Sequence, residues 1–112
     1  MKRSLTKRER VSNRSDLKRV FTARKVECKG LKLLFVENEL SRNRIVVCPV
    51  RRFKKAVDRN REKRVFREIY RSTQGQIRGG YDIAFIIYPG LYSFSDRYKQ
   101  VSSLFKQAGL TQ

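Results

Sequence analysis

The run YDIAFIIY, from Tyr81 to Tyr88, limits the folds open to this chain more than any other stretch. Asp82 is its only charged residue, and a glycine-rich segment precedes it while a Pro-Gly pair follows it. Short apolar runs bounded by turn residues are typical of strands buried on both faces. Since 112 residues can build one such core, we expect a single domain in which helices pack on a small sheet.

Three further elements, one helix and two strand segments, are predicted before the long helix in the middle of the chain. Leu17, Val20 and Phe21 share one helical face, and Ser12 or Asn13 can cap that helix. In VECKGLKLLFVE one set of residues, Leu31, Leu33 and Phe35, alternates with a second set, Lys32, Leu34 and Val36. This alternation predicts a strand, and the segment is long enough to bend or to split into two. The polar link NELSRN has the character of a hairpin, and RIVVCPV, residues 44–50, predicts the next strand.

A long amphipathic helix is predicted from about Ala56 to Arg71. At 100° per residue Val65, Phe66, Ile69 and Tyr70 gather on one side, with basic side chains opposite. The apolar anchors are Val57, Val65, Phe66, Ile69 and Tyr70. A terminal helix follows the buried strand, and Gly109 suits the position just after its last turn.

The charge of the chain indicates its class of partner. Lys and Arg total 28 against 10 Asp and Glu, a net charge of +18. Repulsion on this scale is relieved by a polyanion, so nucleic acid is the first candidate partner, before an anionic membrane surface or an acidic protein. Residues 1–11 are basic and without pattern, and we expect them to form a flexible arm.

Several functional classes are disfavoured by composition. The chain contains no His, so the commonest general acid/base is missing, and Cys28 and Cys48 without His make no plausible zinc site. We expect both cysteines to be reduced core residues of a cytoplasmic protein. No stretch approaches the roughly 20 apolar residues that a membrane-spanning helix needs. The ten acids are scattered, so no catalytic or metal-binding residue can be named.

The long helix also resembles a known family. AVDRNREKRVFRE is similar to the signature of the bacterial ribonuclease P protein subunit: a basic stretch, Ala-Val, one variable residue, the triplet RNR, and further basic positions. SDLKRVF, RIVVCPVRRF, YDIAFIIYPG and LFKQAGL resemble other segments of that family in the same order. The triplet and the basic positions after it correspond to Arg59, Asn60, Arg61, Lys63, Arg64 and Arg67.

The resemblance implies a fold and an activity. The fold would be an α/β (α+β) two-layer sandwich of the ribosomal protein S5 domain 2-like type, with three helices, a mixed four-stranded sheet and a left-handed β-α-β crossover. The activity would be hydrolysis of one phosphodiester in precursor transfer RNA, which releases the 5′ leader. The RNA subunit would carry the catalysis with Mg²⁺ held by that RNA and the substrate. The partners would be the catalytic RNA and the precursor, with no membrane and no small-molecule substrate.

The resemblance also implies two RNA-binding surfaces. The helix with the RNR triplet would dock on the catalytic RNA, where Arg forks suit phosphate oxygens. A leader of varied sequence needs a stacking surface beside a basic groove. The competing interpretation of Phe21 and Phe35 is that they are core residues. For Arg51 and Arg52 the competing interpretation is a solvated rim. The candidates for leader contact are Leu17, Phe21, Phe35, Arg51 and Arg52.

The sequence departs from the family pattern at a few positions. Lys54 stands where Gly is common before the helix, and Leu17 stands where an aromatic residue is frequent. A hydroxyl residue is frequent near Cys48, and a basic residue often occupies the position of Tyr88. The competing interpretation of the whole chain is a structural RNA-binding protein, such as a small basic ribosomal protein. A metal-dependent nuclease that acts alone is disfavoured by the scattered acids.

Overall fold

The computed structural model describes Arg10, Val11 and residues 13–112. Over this part of the chain three α-helices pack on one four-stranded sheet, and no helix is long and apolar enough to cross a membrane. The elements are α1 Arg14–Phe21, β1 Arg24–Cys28, β2 Leu31–Glu37, β3 Arg44–Pro49, α2 Ala56–Thr73, β4 Tyr81–Ile87 and α3 Phe94–Gln107. The expected α+β sandwich of three helices and four strands is confirmed.

The strands pair in the order β1-β2-β4-β3. β1 and β2 form an antiparallel hairpin that turns at Gly30, whose φ of 91° suits glycine. The expected split of this region into two strands is therefore confirmed. β4 pairs antiparallel with β2 and parallel with β3, to which α2 connects it. The hairpin expected at NELSRN is wrong, because β4 lies between β2 and β3; the handedness of the β3-α2-β4 crossover stays a prediction.

The main core lies on the face of the sheet that α2 and α3 cover. The strand register places Leu33, Phe85 and Val47 side by side on this face. Phe66 of α2 and Phe105 of α3 pack on Phe85, with ring centroids 5.5 and 6.1 Å away. β4 is central and buried along most of its length, as its apolar sequence predicted. Burial of these large side chains supplies most of the driving force for folding.

The opposite face of the sheet is partly covered by α1. Of the eight residues of α1, Val20 alone is buried, and it packs on the neighbouring pair Leu34 and Ala84. Lys32 and Ile86 are the next pair across β2 and β4, so they lie on this same face. α1 thus adds a partial third layer to the expected two-layer sandwich.

The segment before α1 is attached to the edge of the sheet. The side chain of Asn13 caps the helix by accepting hydrogen bonds from the N–H groups of Ser15 and Asp16, at 2.9 and 3.4 Å. Val11 is buried, and its N–H donates to the carbonyl of Ile45 in β3 at 3.0 Å. The expectation that the flexible arm includes Val11 is therefore wrong; residues 1–9 of that arm and the alternative cap Ser12 lie outside the described residues.

A buried arginine joins α3 to α2 and to two loops. Arg97 is 1% exposed, and its Nη2 lies 3.3 Å from Oε2 of Glu62, which is 5% exposed. The guanidinium also donates to the carbonyls of Gly30 and Tyr88, at 3.0 and 2.8 Å. Its carbon lies 4.2 Å from the centre of the Tyr92 ring. These contacts fix the rotation of α2 about its axis, and hence the direction in which its basic side faces.

Candidate nucleic-acid interface

α2 presents one apolar side to the sheet and one basic side to solvent. Phe66, Ile69 and Tyr70 are buried in the main core, as predicted. The helix begins at Ala56, the predicted residue, and continues two residues past Arg71. Like charges spaced at i, i+4 destabilise a helix slightly, so this concentration of cations is costly without an anionic ligand.

The predicted anchor Val57 is wrong, because its side chain is 68% exposed. It lies in the first turn of α2, before the helix reaches the sheet. Glu62, in contrast, is buried against Arg97. The buried residues of α2 thus all lie in its C-terminal two thirds, from Glu62 onward.

The predicted RNA-binding residues of α2 fall into two groups. Asn60, Arg61 and Arg64 are exposed on the outer side of the helix. Arg59, Lys63 and Arg67 are half-buried. The Nη1 of Arg59 donates to the carbonyl of Phe53, so this residue also closes the turn before the helix. The structure brings all six to one helix, and their contact with RNA stays a prediction.

The half-buried cations lie against the edge of the sheet. Lys63 and Arg67 line a notch of about 80 Å³ together with Arg10 and the outer edge of β3. Burial raises the pKa of the Cys48 thiol, and the Lys63 ammonium opposes that shift. Cys48 pairs with Ile86 across the sheet and therefore lies on the face that carries α1. The basic side of α2 thus adjoins that second face at β3.

A groove opens on the second face beside the C-terminal end of α1. Its volume is about 450 Å³. Leu34 and Ile86 form an apolar floor, Phe21 forms one wall, and Lys25 and Lys32 bring positive charge. The phenyl ring of Phe21 is 41% exposed, so it is available for stacking and is not a core residue.

The other leader candidates lie in different places. Leu17 is half-buried one turn before Phe21 on α1. Arg51 and Arg52 are exposed directly after β3, and the guanidinium carbon of Arg52 lies 5.8 Å from the centre of the Tyr88 ring. Because Pro49 pairs with Ile87, this turn sits at the end of the sheet where the groove opens.

Phe35 is wrong as a candidate for leader contact. Its side chain is 4% exposed and lies on the face of the sheet that carries the main core. It packs edge-on against Tyr81, at 6.4 Å between ring centroids, and the guanidinium of Arg24 lies over its ring. A buried ring on the opposite face cannot stack with a base bound under α1.

Sequence reasoning missed the lining of the groove. Lys25, Lys32, Leu34 and Ile86 were not singled out, although Lys32 alternates with the core residues on either side of it. That alternation places Lys32 and Leu34 on the face opposite the main core. This alternation identifies groove residues only once β4 is known to pair with β2. Among the described residues no three of His, Cys, Asp and Glu gather as a metal site would require.

Cys28 does not match its expected position. Both cysteines are free thiols, but Cys28 is exposed at the end of β1 while Cys48 is half-buried. The expectation that both are core residues is therefore wrong for Cys28. β1 is an edge strand, which explains the exposure.

The fold and its charge distribution define a small α+β protein with a cationic helix face adjoining an aromatic-walled groove, a combination suited to nucleic acid. Comparison with known proteins identifies the family. The sequence model described as Ribonuclease P matches residues 5–109. The chain belongs to the family of ribonuclease P protein components, the protein subunits of an enzyme of transfer-RNA processing.

Individual relatives agree with this assignment. A ribonuclease P protein component of Syntrophomonas wolfei is 32% identical over 95% of this chain and 92% of its own. The RNase P protein of Thermotoga maritima, solved with 1-(4-fluorophenyl)-2-thiourea, superimposes with a TM-score of 0.80 at 30% identity, covering 88% of this chain and 98% of that chain. A Staphylococcus aureus RNase P protein mutant, described as defective in mRNA degradation activity, gives a TM-score of 0.85 at 19% identity over 93% and 91% of the chains. The last likeness shows the fold alone.

Proposed function

We propose that this chain binds the catalytic RNA of ribonuclease P through α2 and the 5′ leader of precursor transfer RNA through the groove beside α1. The observation that carries the proposal is the juxtaposition of these two surfaces across β3. A protein placed between the catalytic RNA and the leader can contact both at once. It would thereby raise the affinity of the holoenzyme for precursors over mature transfer RNA.

The groove has the composition that a sequence-tolerant site for single-stranded RNA needs. An exposed phenyl ring can stack on any base, because every base has a π-face. The apolar floor of Leu34 and Ile86 accepts the flat side of a base, and Lys25 and Lys32 can contact the phosphates on either side. Arg51 and Arg52 extend the positive charge at the same end of the sheet. None of these contacts requires a particular leader sequence.

The outer side of α2 suits a folded RNA backbone. Arg61 and Arg64 are exposed and can each present two parallel N–H donors to a phosphate. Asn60 between them can donate and accept, which suits a 2′-hydroxyl or a base edge. Contacts of this kind position the protein on the RNA without reading its sequence.

The chemistry is assigned to the RNA subunit. Membership of the ribonuclease P family supports the proposal that the Mg²⁺ of the reaction would be held by the RNA and the substrate. Bound there, Mg²⁺ would supply an activated water and charge stabilisation for phosphodiester hydrolysis. The residues of this chain bind and orient the substrate.

A reconstitution assay tests the proposal. Catalytic RNA and precursor transfer RNA are mixed at low Mg²⁺ with and without the protein. We expect 5′-end cleavage to rise sharply with the protein, because the cationic surfaces relieve repulsion between the two RNAs. We expect the isolated protein to cleave neither precursor nor messenger RNA.

Messenger RNA belongs in that assay because the Staphylococcus aureus protein is described with an mRNA degradation activity. Turnover by highly purified protein alone, abolished by one carboxylate substitution, would overturn the assignment of chemistry to the RNA. Binding of the catalytic RNA without any gain in cleavage would favour the competing interpretation, a structural RNA-binding protein.

Phe21→Ala tests the groove separately. The ring is exposed, so its loss should leave the melting temperature nearly unchanged. Loss of one stacking contact should weaken holoenzyme binding of a leader-bearing precursor by about 1–3 kcal/mol and leave mature transfer RNA unaffected. Equilibrium binding of both RNAs to the reconstituted holoenzyme gives the two values.

Phe94→Ala is the matched control, because Phe94 is a second exposed phenylalanine and lies on α3. It should change neither affinity. Equal losses for precursor and mature RNA in Phe21→Ala would show that the groove does not bind the leader.

A further inference from the structure

A buried carboxylate ties α1 to the sheet. Asp82 is 0% exposed near the start of β4, on the face of the sheet that carries α1. Among the described residues, four N–H groups donate to it from three parts of the chain. They are Nε and Nη2 of Arg44 at 2.9 and 2.7 Å, Nδ2 of Asn38 at 2.9 Å and Nη2 of Arg19 at 3.4 Å.

A second carboxylate completes the connection from the helix. Asp16 of α1 accepts from Nη2 of Arg44 at 3.1 Å and lies 3.6 Å from Nη2 of Arg19. The two carboxylates raise the pKa of Arg44, with the hydrogen bond to Asp82 the larger cause. Asp16, Arg19, Arg44 and Asp82 thus form one ion network, which we name the α1 latch.

α1 has little else to fix its position. Val20 is its one buried side chain, and a helix of eight residues is not stable by itself. The contacts of Val20 with Leu34 and Ala84, together with the attachment at Val11 before the helix, leave α1 some freedom to pivot about Val20. The directional hydrogen bonds of the α1 latch remove this freedom, because they define both the distance and the orientation of the helix on the sheet.

Of the two α1 members of the latch, Asp16 lies at the other end of the helix from the groove, and Arg19 lies two residues before Phe21, which lines the groove. Asp16 is in the first turn and Phe21 is the last residue, about 7 to 8 Å further along the axis at 1.5 Å per residue. A pivot about Val20 would therefore move the Phe21 ring relative to Leu34 and Ile86. None of the members of the α1 latch lines the groove, so any effect of the latch on the groove must act through the position of α1.

We propose that Asp82, acting through Arg44 and Asp16, is a positioning residue for leader binding. This inference rests on the proposed function of the groove. Substitution of Asp82 should remove the preference for leader-bearing RNA and leave binding of the catalytic RNA to α2 intact. A residue that served stability alone would affect every RNA to the same extent.

The test uses the reconstituted holoenzyme with three variants. Asp82→Asn keeps the shape of the side chain and removes its charge, and Asp16→Asn breaks only the exposed half of the α1 latch. Asp96→Asn is the matched control, since Asp96 completes the capping box of α3 with Ser93, away from α1. Each variant is assayed for affinity to the catalytic RNA, to a leader-bearing precursor and to mature transfer RNA, with thermal melts alongside.

We expect Asp82→Asn to lower the ratio of precursor to mature affinity about tenfold, the size of one lost stacked base. Asp16→Asn should lower it about threefold, because partly exposed ion pairs are weak. Asp96→Asn should lower the melting temperature and leave the ratio unchanged. Affinity for the catalytic RNA should be retained in all three.

The possible results separate the two proposals. A wild-type protein with no preference for precursor would contradict the proposed function of the groove. A wild-type preference that persists in both Asp82→Asn and Asp16→Asn would overturn the role of the latch, as would equal losses for both RNAs. If Asp82→Asn does not fold, Asp16→Asn decides: an unchanged ratio overturns the inference and a threefold fall supports it.

Discussion

Replacing Arg97 with Met should destabilise the protein by about 3–5 kcal/mol. Glu62 would then be left buried without its partner, and a carboxylate out of water with no countercharge is strongly unfavourable. The carbonyls of Gly30 and Tyr88 would lose a donor as well. Because a domain of this size has a free energy of unfolding of about 5–15 kcal/mol, the loss should be visible in a urea titration.

The double variant Arg97→Met with Glu62→Met shows whether the ion pair is the cause. Removing both charges should recover part of the lost stability, since apolar residues can replace a buried pair at little cost. Lys99→Met, an exposed substitution on α3, should leave unfolding unchanged. No recovery in the double variant would mean that the carbonyl contacts, and not Glu62, account for the role of Arg97.

Removing three arginines from the basic side of α2 should have the largest effect on RNA binding. In the variant with Arg61, Arg64 and Arg67 changed to Ala, affinity for the catalytic RNA should fall roughly 100-fold or more, at about 1 kcal/mol or more per contact. The slope of log K against log salt should flatten by about two to three units, because fewer counterions are released. Arg64→Ala alone should flatten it by about one unit.

The matched control removes the same amount of charge elsewhere. Arg78, Lys99 and Lys106 are exposed and lie outside both proposed surfaces. Changing these three to Ala should leave the salt slope close to that of the wild type. Equal flattening of the salt slope in both triple variants would show that RNA affinity depends on net charge alone and that the basic side of α2 is merely solvated.

The elements with strong periodicity are predictable from the sequence. α2 begins at the predicted residue, and β4 ends one residue before the predicted Tyr88. Both segments carry enough apolar residues at regular spacing to determine their type and their inward side. Asn13 and Gly109 mark helix ends through local backbone chemistry, which needs no tertiary information.

The order of strands in the sheet is not predictable by the same reasoning. NELSRN is as polar as a hairpin loop, and nothing in it signals that β4 will enter between β2 and β3. The face of Phe35 depends on register, and a shift of one residue reverses it. Its place in the main core follows only from pairing with Ile83 and Arg24.

Buried charges are the least predictable part of the molecule. Asp82, Glu62 and Arg97 look like surface residues, because charged side chains are almost never fully buried unless paired. Their partners lie 35 or more positions away in the sequence. The α1 latch and the anchor of α2 thus become visible only when the fold brings distant segments together.

The central place of β4 has a consequence for how the chain acquires its structure during synthesis. A ribosome delivers residues in order at about 5–20 per second, and β2 and β3 emerge before the strand that joins them. Until residues 81–87 leave the exit tunnel, β3 has no neighbour in the sheet, and β2 is paired along one edge only, with β1. The nascent chain must therefore carry β3 unpaired while residues 50–87 are made, and the sheet can close only after β4 has emerged.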